Sequence, residues 1–212
     1  MTTRGPSRDA IDGAPGALLV IVSGPSGVGK DTVISALRAM PSDPPRHFVV
    51  TSTTRPRRPY EVDGVHYHFL DEATFEARRL SGGYLESNFV HTHWYGTPRA
   101  EVREALAGGQ DVILKIDVQG AAAVKQQVPD ALLVFLVPPS LEDLFARLRS
   151  RATETADELD IRQRNAAVEL ARQEDYDHVV LNETGEVERT AARIDAIISA
   201  EKVAQPDRRT RV

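Results

Sequence analysis

Seven residues, Gly24-Pro-Ser-Gly-Val-Gly-Lys30, have the spacing G-x-x-x-x-G-K and lie between an apolar segment and a helical pattern. The glycines let the backbone curl so that its N–H groups turn inward, the following helix N-terminus adds positive potential, and Lys30 reaches β- and γ-phosphates. The simpler reading, a glycine turn before a helix, leaves the preceding strand and the register of the lysine unexplained. One position departs from the usual pattern. The residue after the lysine, ordinarily a Ser or Thr whose hydroxyl ligates Mg²⁺, is Asp31, followed by Thr32. A carboxylate beside a triphosphate is repulsive unless a cation lies between them. Asp31 therefore either addresses Mg²⁺, directly or through water, or serves the first helical turn, where an acid is favoured anyway.

Cations recur elsewhere. Arg55, Arg57 and Arg58 share a stretch with Pro56 and Pro59, so they do not form a solvated helix face; forked guanidinium groups on a stiffened loop suit bidentate capture of a phosphate. Arg147, Arg149 and Arg151, then Arg162 and Arg164, make a second set, with Arg147 and Arg151 on one helical face. Isolated helix arginines are usually just solvated. Two clusters in a chain with a phosphate loop favour phosphoryl transfer, which needs cations that move over the transferring group and exclude water.

The whole chain is otherwise acidic, with 26 Lys plus Arg against 31 Asp plus Glu and a net charge of −5. That balance argues against a general nucleic-acid or anionic-membrane binder and confines phosphate recognition to local clusters. Zero cysteines exclude disulfide scaffolds, thiol catalysis and Cys-ligated metals, and suit a reducing compartment. No apolar run approaches the ~18 residues of a membrane span. Ala17–Val22 is too short for a secretion signal, so a cytoplasmic location is expected.

At 212 residues the chain makes one domain, with room for small inserts. Residues 1–16 read as a disordered leader and 206–212 as a frayed polar tail. Ala17–Ser23 is wholly apolar and β-branched, the pattern of a buried parallel strand; Asp31–Met40 is helical until Pro41. His47–Ser52 reads as strand. Between Val62 and Thr97 short alternating segments, Val65–Leu70 and Tyr84–Val90, flank a helix over Asp71–Leu80, which suggests an inserted subdomain. Alternation then resumes: helix Pro98–Ala107, strand Asp111–Asp117, helix Ala121–Gln127, strand Ala131–Val137, helix Ser140–Arg149 capped by Ser140, helix Asp157–Gln173, strand His178–Leu181 and helix Glu186–Ala200. Repeated βα units predict an α/β fold, a parallel sheet with helices on both faces.

Gly24–Lys30, Thr51-Ser-Thr-Thr-Arg-Pro-Arg-Arg58, Glu61-Val-Asp-Gly64 with Tyr67, Tyr95-Gly-Thr97, Ile116-Asp-Val-Gln-Gly120, Pro138-Pro-Ser-Leu-Glu142 and Thr153-Glu-Thr155 occur in the order seen in guanylate kinases. The chain resembles that family from about Leu18 to Ala200. The resemblance implies a P-loop kinase core (about 17–203) that phosphorylates GMP to GDP with ATP and Mg²⁺, a GMP-binding flap at about 53–96 and a small lid at about 150–163. It implies ATP contacts from Gly24, Pro25, Ser26, Gly27, Val28, Gly29, Lys30, Asp31 and Thr32, with Asn182 near adenine. Arg55, Arg58, Tyr67 and Tyr95 would hold the GMP phosphate; Glu86, Thr97 and Asp117 would read guanine, with Thr51 beside it. Guanine offers N1–H and an amino group as donors, which carboxylates accept. Lys30, Arg147, Arg151 and Arg162 would surround the transferred phosphoryl. The partners implied are small nucleotides.

The family pattern carries Asp-x-Asp where this chain has Lys115-Ile-Asp117. Two departures, Asp31 and Lys115, thus fall where Mg²⁺ is expected. Either they compensate, with Lys115 paired to Asp31 or a phosphate, or phosphates and water hold the ion and both changes are tolerated. Two related readings compete with a guanylate kinase. A P-loop kinase acting on ribose 1,5-bisphosphate should lack the guanine readers, and an inactive binding module typically loses the loop glycines or lysine. His66 and His68, and His91 and His93, sit at i, i+2; they could hold zinc or be ordinary half-exposed strand residues. Trp94 is expected to pack the flap, and the stripe Val187, Ala191, Ile194, Ile197 and Ile198 to be core.

Overall fold

The computed structural model of the chain describes residues 12–90, 92–149 and 156–212, the side chains of 156–162 excepted. Five strands form one parallel sheet: β1 (Leu19–Ser23), β2 (His47–Phe48), β7 (Val112–Lys115), β8 (Leu132–Val137) and β9 (His178–Leu181), in the order β2-β7-β1-β8-β9. β1 lies centrally, paired with β7 through Leu19↔Val112 and with β8 through Val20↔Leu132. Both its faces are covered, which is why the run is apolar without alternation. Leu18, Val20 and Val22 enter one core with α1 (Lys30–Ala39), α5 (Leu141–Arg149) and α7 (Val187–Ala204). Leu19 and Ile21 enter the other with α3 (Arg99–Ala107) and α4 (Val118–Gln127). Of the α7 stripe, Ala191, Ile194, Ile197 and Ile198 are core as the spacing predicts, and Val187 at its start is only half-buried.

A second sheet, β4-β3-β6-β5, comprises β3 (Ser52–Thr53), β4 (His68–Phe69), β5 (Tyr84–Val90) and β6 (His93–Pro98). Helix α2 (Glu72–Leu80) buries Phe75, which stacks on Tyr84 at 4.6 Å and on Trp94 at 5.9 Å, so Trp94 is a packing residue. Helix α6 (Ala156–Leu170) completes the set. Ser140 accepts from the Asp143 N–H at 3.0 Å, the expected cap of α5.

Several boundaries differ from the sequence-based expectation. The single strand His47–Ser52 divides, its start pairing with β7 and its end with β4 and β6, because the chain leaves one sheet for the other between Phe48 and Ser52. The strand Val65–Leu70 shrinks to His68–Phe69. Asp63–Tyr67 instead forms a turn, with Gly64 at φ 73° and the Val62 N–H donating to His66 Nδ1. Among the described residues no three His, Cys, Asp or Glu groups converge as a metal site, and His91 lies outside them. Asp117 accepts from the Gly120 N–H at 2.7 Å, so α4 begins earlier than Ala121.

The C-terminal tail is not frayed. Thr210 donates to the Ala17 carbonyl and accepts the Gly13 N–H, and Val212 is buried in the second core. An apolar last residue and a buried hydroxyl, inconspicuous among arginines, anchor it. Removing residues 210–212 is expected to lower Tm by about 4–8 °C, the cost of one buried valine and its bonds in a domain of this size. Differential scanning calorimetry checks this, with turnover unchanged.

Candidate active site

The phosphate loop leaves the C-terminal end of the central strand, whose connection runs to β2 on one side while that of its neighbour β8 runs to β9 on the other; open α/β sheets bind ligands at this place. Gly24 has φ 145°, and a Cβ there would lie 2.5 Å from the Leu136 carbonyl oxygen; Gly29 has φ 102°, and its Cβ would meet Asn182 Nδ2 at 2.7 Å. Only glycine fits either position. Lys30 Nζ donates to the Gly24 carbonyl at 2.5 Å and the Pro25 carbonyl at 3.1 Å, which points its charge along the loop. Burial pushes its pKa down, with Glu169, Asp117 and Asp31 opposing. Glu169, from α6, accepts the Ser26 N–H at 2.9 Å. A phosphate bound in the loop must compete with this carboxylate.

The loop forms one wall of a cleft of about 540 Å³. Gly24, Ser26, Gly27, Gly29, Lys30 and Asp31 line that wall. The second sheet with its flanking loops, and the segment after β7, supply further lining residues: Arg55, Arg58, Tyr67, Tyr95, Thr51, Glu86 and Asp117. The residues read from sequence as GMP phosphate and guanine contacts, Thr97 excepted, thus share one cavity.

Glu86 is 6% exposed. The antiparallel register sets Glu86 opposite Thr97 and Asn88 opposite Tyr95. Thr97 Oγ1 donates to Glu86 Oε1 at 2.7 Å, and Asn88 Nδ2 donates to Oε2 at 2.6 Å. Thr97 therefore acts on the carboxylate and does not itself line the cleft. Burial pushes the Glu86 carboxyl up to about 7, with both donors opposing. Only the ionised form accepts two donors from a guanine edge. Guanosine is used here as the ligand because it carries no phosphate to titrate. Its affinity is expected to be about tenfold weaker at pH 6 than at pH 8, and Glu86→Gln to abolish that dependence in isothermal titration calorimetry. The stability sign is opposite. A carboxyl raised from 4.5 to about 7 contributes stability that is fully present below pH 4.5 and lost as pH rises through about 7.

Glu61 organises the arginine loop: Arg55 Nη2 donates to its Oε1 at 2.6 Å and the Arg58 N–H to its Oε2 at 2.8 Å. Burial acts to raise its pKa, and Arg55 and Arg58 outweigh this to hold it below the usual range. Arg55 lies over the Tyr67 ring at 5.6 Å, and Arg58 Nη1 contacts Tyr60 Oη at 3.2 Å. Lys115 and Asp31 form an ion pair. The N-cap of α1 is Gly29, and Asp31 lies in the first turn, where a carboxylate also suits the helix N-terminus.

Other expected residues lie elsewhere. Asn182 is buried beneath the loop, donating to the Val28 carbonyl at 2.7 Å and accepting from Thr190 at 3.0 Å; it props the loop and does not face the cleft. Arg147 also grips the loop from outside, donating to the Val28 carbonyl at 3.0 Å and to Thr184 Oγ1 at 2.7 Å. Pro25, Val28 and Thr32 belong to the loop and α1 without lining the cleft. Arg151 lies outside the described residues, and for Arg162 only its place in α6 is described. Asn88 and Glu169 were not singled out from sequence. Asn88 carries a signal, two residues from Glu86 on one strand face; Glu169, 143 residues from Ser26, carries none.

Comparison with known proteins gives a consistent picture. The family profile described as "Guanylate kinase" matches residues 17–201. The chain is 43% identical to a guanylate kinase of Chelativorans sp. over 187 residues, covering 88% of this chain and 84% of that one. It is 46% identical to a guanylate kinase of Symbiobacterium thermophilum over 188 residues, covering 89% and 87%. The crystal structure of guanylate kinase from Anaplasma phagocytophilum superposes with a TM-score of 0.71 at 28% identity, covering 90% of this chain and 88% of that one.

Proposed function

The chain belongs to the guanylate kinase family, and we propose from that premise that its cleft is where ATP phosphorylates GMP to GDP. The observation that carries the assignment is the cleft itself: a buried carboxylate held by Thr97 and Asn88 shares one cavity with the phosphate loop and two arginines. A ribose-bisphosphate kinase has no use for that carboxylate, and an inactive module has no use for an intact loop and Lys30.

In this reading Gly24–Thr32 wrap the ATP phosphates, Glu86 and Asp117 face guanine with Thr51 beside it, and Arg55, Arg58, Tyr67 and Tyr95 hold the acceptor phosphate. An oxygen of that phosphate attacks the γ-phosphorus, the bond from the γ-phosphorus to the β-bridging oxygen breaks, and ADP departs with the electron pair. The acceptor is already anionic, so no side-chain base is required. Catalysis comes from positioning and charge neutralisation by Lys30 and the arginines. Arg147, Arg151 and Arg162 are assigned to the transferring group by the resemblance; for Arg147 this means exchanging its bonds to Val28 and Thr184 for substrate.

The donor chemistry fits Mg²⁺. One exposed carboxylate, Asp31, stands beside the phosphate loop, and this ion takes few protein ligands and keeps phosphates and water. When bound it would neutralise charge across the β- and γ-phosphates. Among the described residues no helix is long and apolar enough to cross a membrane, and we assign the enzyme to the cytoplasm with nucleotides as its partners. With Mg²⁺, ATP and GMP, phosphorus NMR should show ADP and GDP formed in equal amounts. Hydrolysis of ATP to ADP and inorganic phosphate without GDP would overturn the proposal.

A further inference from the structure

We propose that Lys115 is a phosphate-contacting cation of the transfer point, held in place by Asp31; the inference rests on the GMP reading above. Register fixes its backbone. Lys115 ends β7 opposite Val22, so its side chain leaves the sheet beside the start of the phosphate loop. The ammonium forms an ion pair with Asp31, in the first turn of α1, and lies 4.9 Å from the centroid of the Tyr67 ring. Asp31 adjoins Lys30 and belongs to the ATP side. Tyr67, with Arg55 over the same ring, belongs to the acceptor side. Lys115 thus stands where the two phosphate sites meet, and it lines the cleft.

An ordinary structural salt bridge explains this poorly. The Lys115 side chain is 20% exposed and that of Asp31 70%. A pair with one partner mostly in water gains little, whereas desolvating an ammonium is expensive. An ammonium has three donors, and a contact to Asp31 and one to Tyr67 leave a third for a ligand. Two anions must approach each other for transfer, and a cation between them lowers that cost.

The test compares GMP with guanosine, without ATP or Mg²⁺, by isothermal titration calorimetry. Lys115→Met should weaken GMP binding about 10–100-fold, the worth of one charged hydrogen bond, and leave guanosine unchanged. Lys115→Arg should recover most of the loss. Asp31→Asn should cost GMP affinity several-fold by the same argument, leave guanosine unchanged, and add nothing in the Lys115→Met background, because Asp31 acts through Lys115. Equal loss of GMP and guanosine would reduce Lys115 to a structural role and overturn the proposal, as would no loss at all. Should Lys115→Met fail to fold, Lys115→Gln gives the same comparison. Wild-type protein that favours neither GMP over AMP nor guanosine over adenosine would instead bring down the GMP reading itself.

Discussion

Lys30→Met is expected to lower kcat by about 10³-fold, the usual cost of deleting one preorganised charge from a transition state, while GMP binding stays close to wild type. Lys30 is half-buried at the end of the loop and donates to the Gly24 and Pro25 carbonyls, so its side chain is already held before substrate arrives. In this reading its Nζ stands where the γ-phosphoryl gathers negative charge, and methionine retains the length of the stem but no donor. Single-turnover kinetics with saturating nucleotides separates the effect from binding. A loss confined to the KM for ATP would mean that Lys30 binds the ground state and does not act on transfer.

Arg58→Ala should cut kcat/KM for GMP by about 10²-fold or more through loss of a charged contact to the acceptor phosphate, with ATP affinity nearly intact. The structure separates the two effects cleanly. Arg58 reaches the cleft from the loop that Glu61 organises, and its side chain contacts Tyr60, not the phosphate loop. Arg55 differs, because its guanidinium is already bonded to Glu61 and stands over Tyr67. Its removal therefore disturbs the loop as well as the charge. Equal loss of ATP and GMP binding in Arg58→Ala, measured calorimetrically, would contradict the assignment.

How legible the molecule is from its residues depends on how local the determinants are. The phosphate loop and its flanking strand and helix are local, and the central parallel sheet follows from apolar runs such as Ala17–Ser23. Glu86, Thr97 and the arginine loop come together because strand register is set by alternation, which sequence displays. The pairing of Lys115 with Asp31 was one of two options open to a displaced carboxylate, and the structure joins them. Less legible are contacts made across the fold. Nothing near Glu169 says that it will accept from Ser26. Asn182 gives no sign that its amide turns inward to Val28. The split of His47–Ser52 between two sheets is hidden because no Gly or Pro interrupts the run. The tail reads as polar by composition, yet Thr210 and Val212 are buried and Arg208 and Arg211 pair with Glu201 and Asp12.

The most direct measurement is kcat/KM for GMP, AMP, UMP and ribose 1,5-bisphosphate in one coupled ADP-release assay with Mg²⁺-ATP. A site built on a buried carboxylate that accepts from guanine should favour GMP over each alternative by at least about 10³-fold, since analogues that cannot satisfy a buried polar group are rejected strongly. Equal rates with AMP, or a preference for the ribose bisphosphate, would contradict the account.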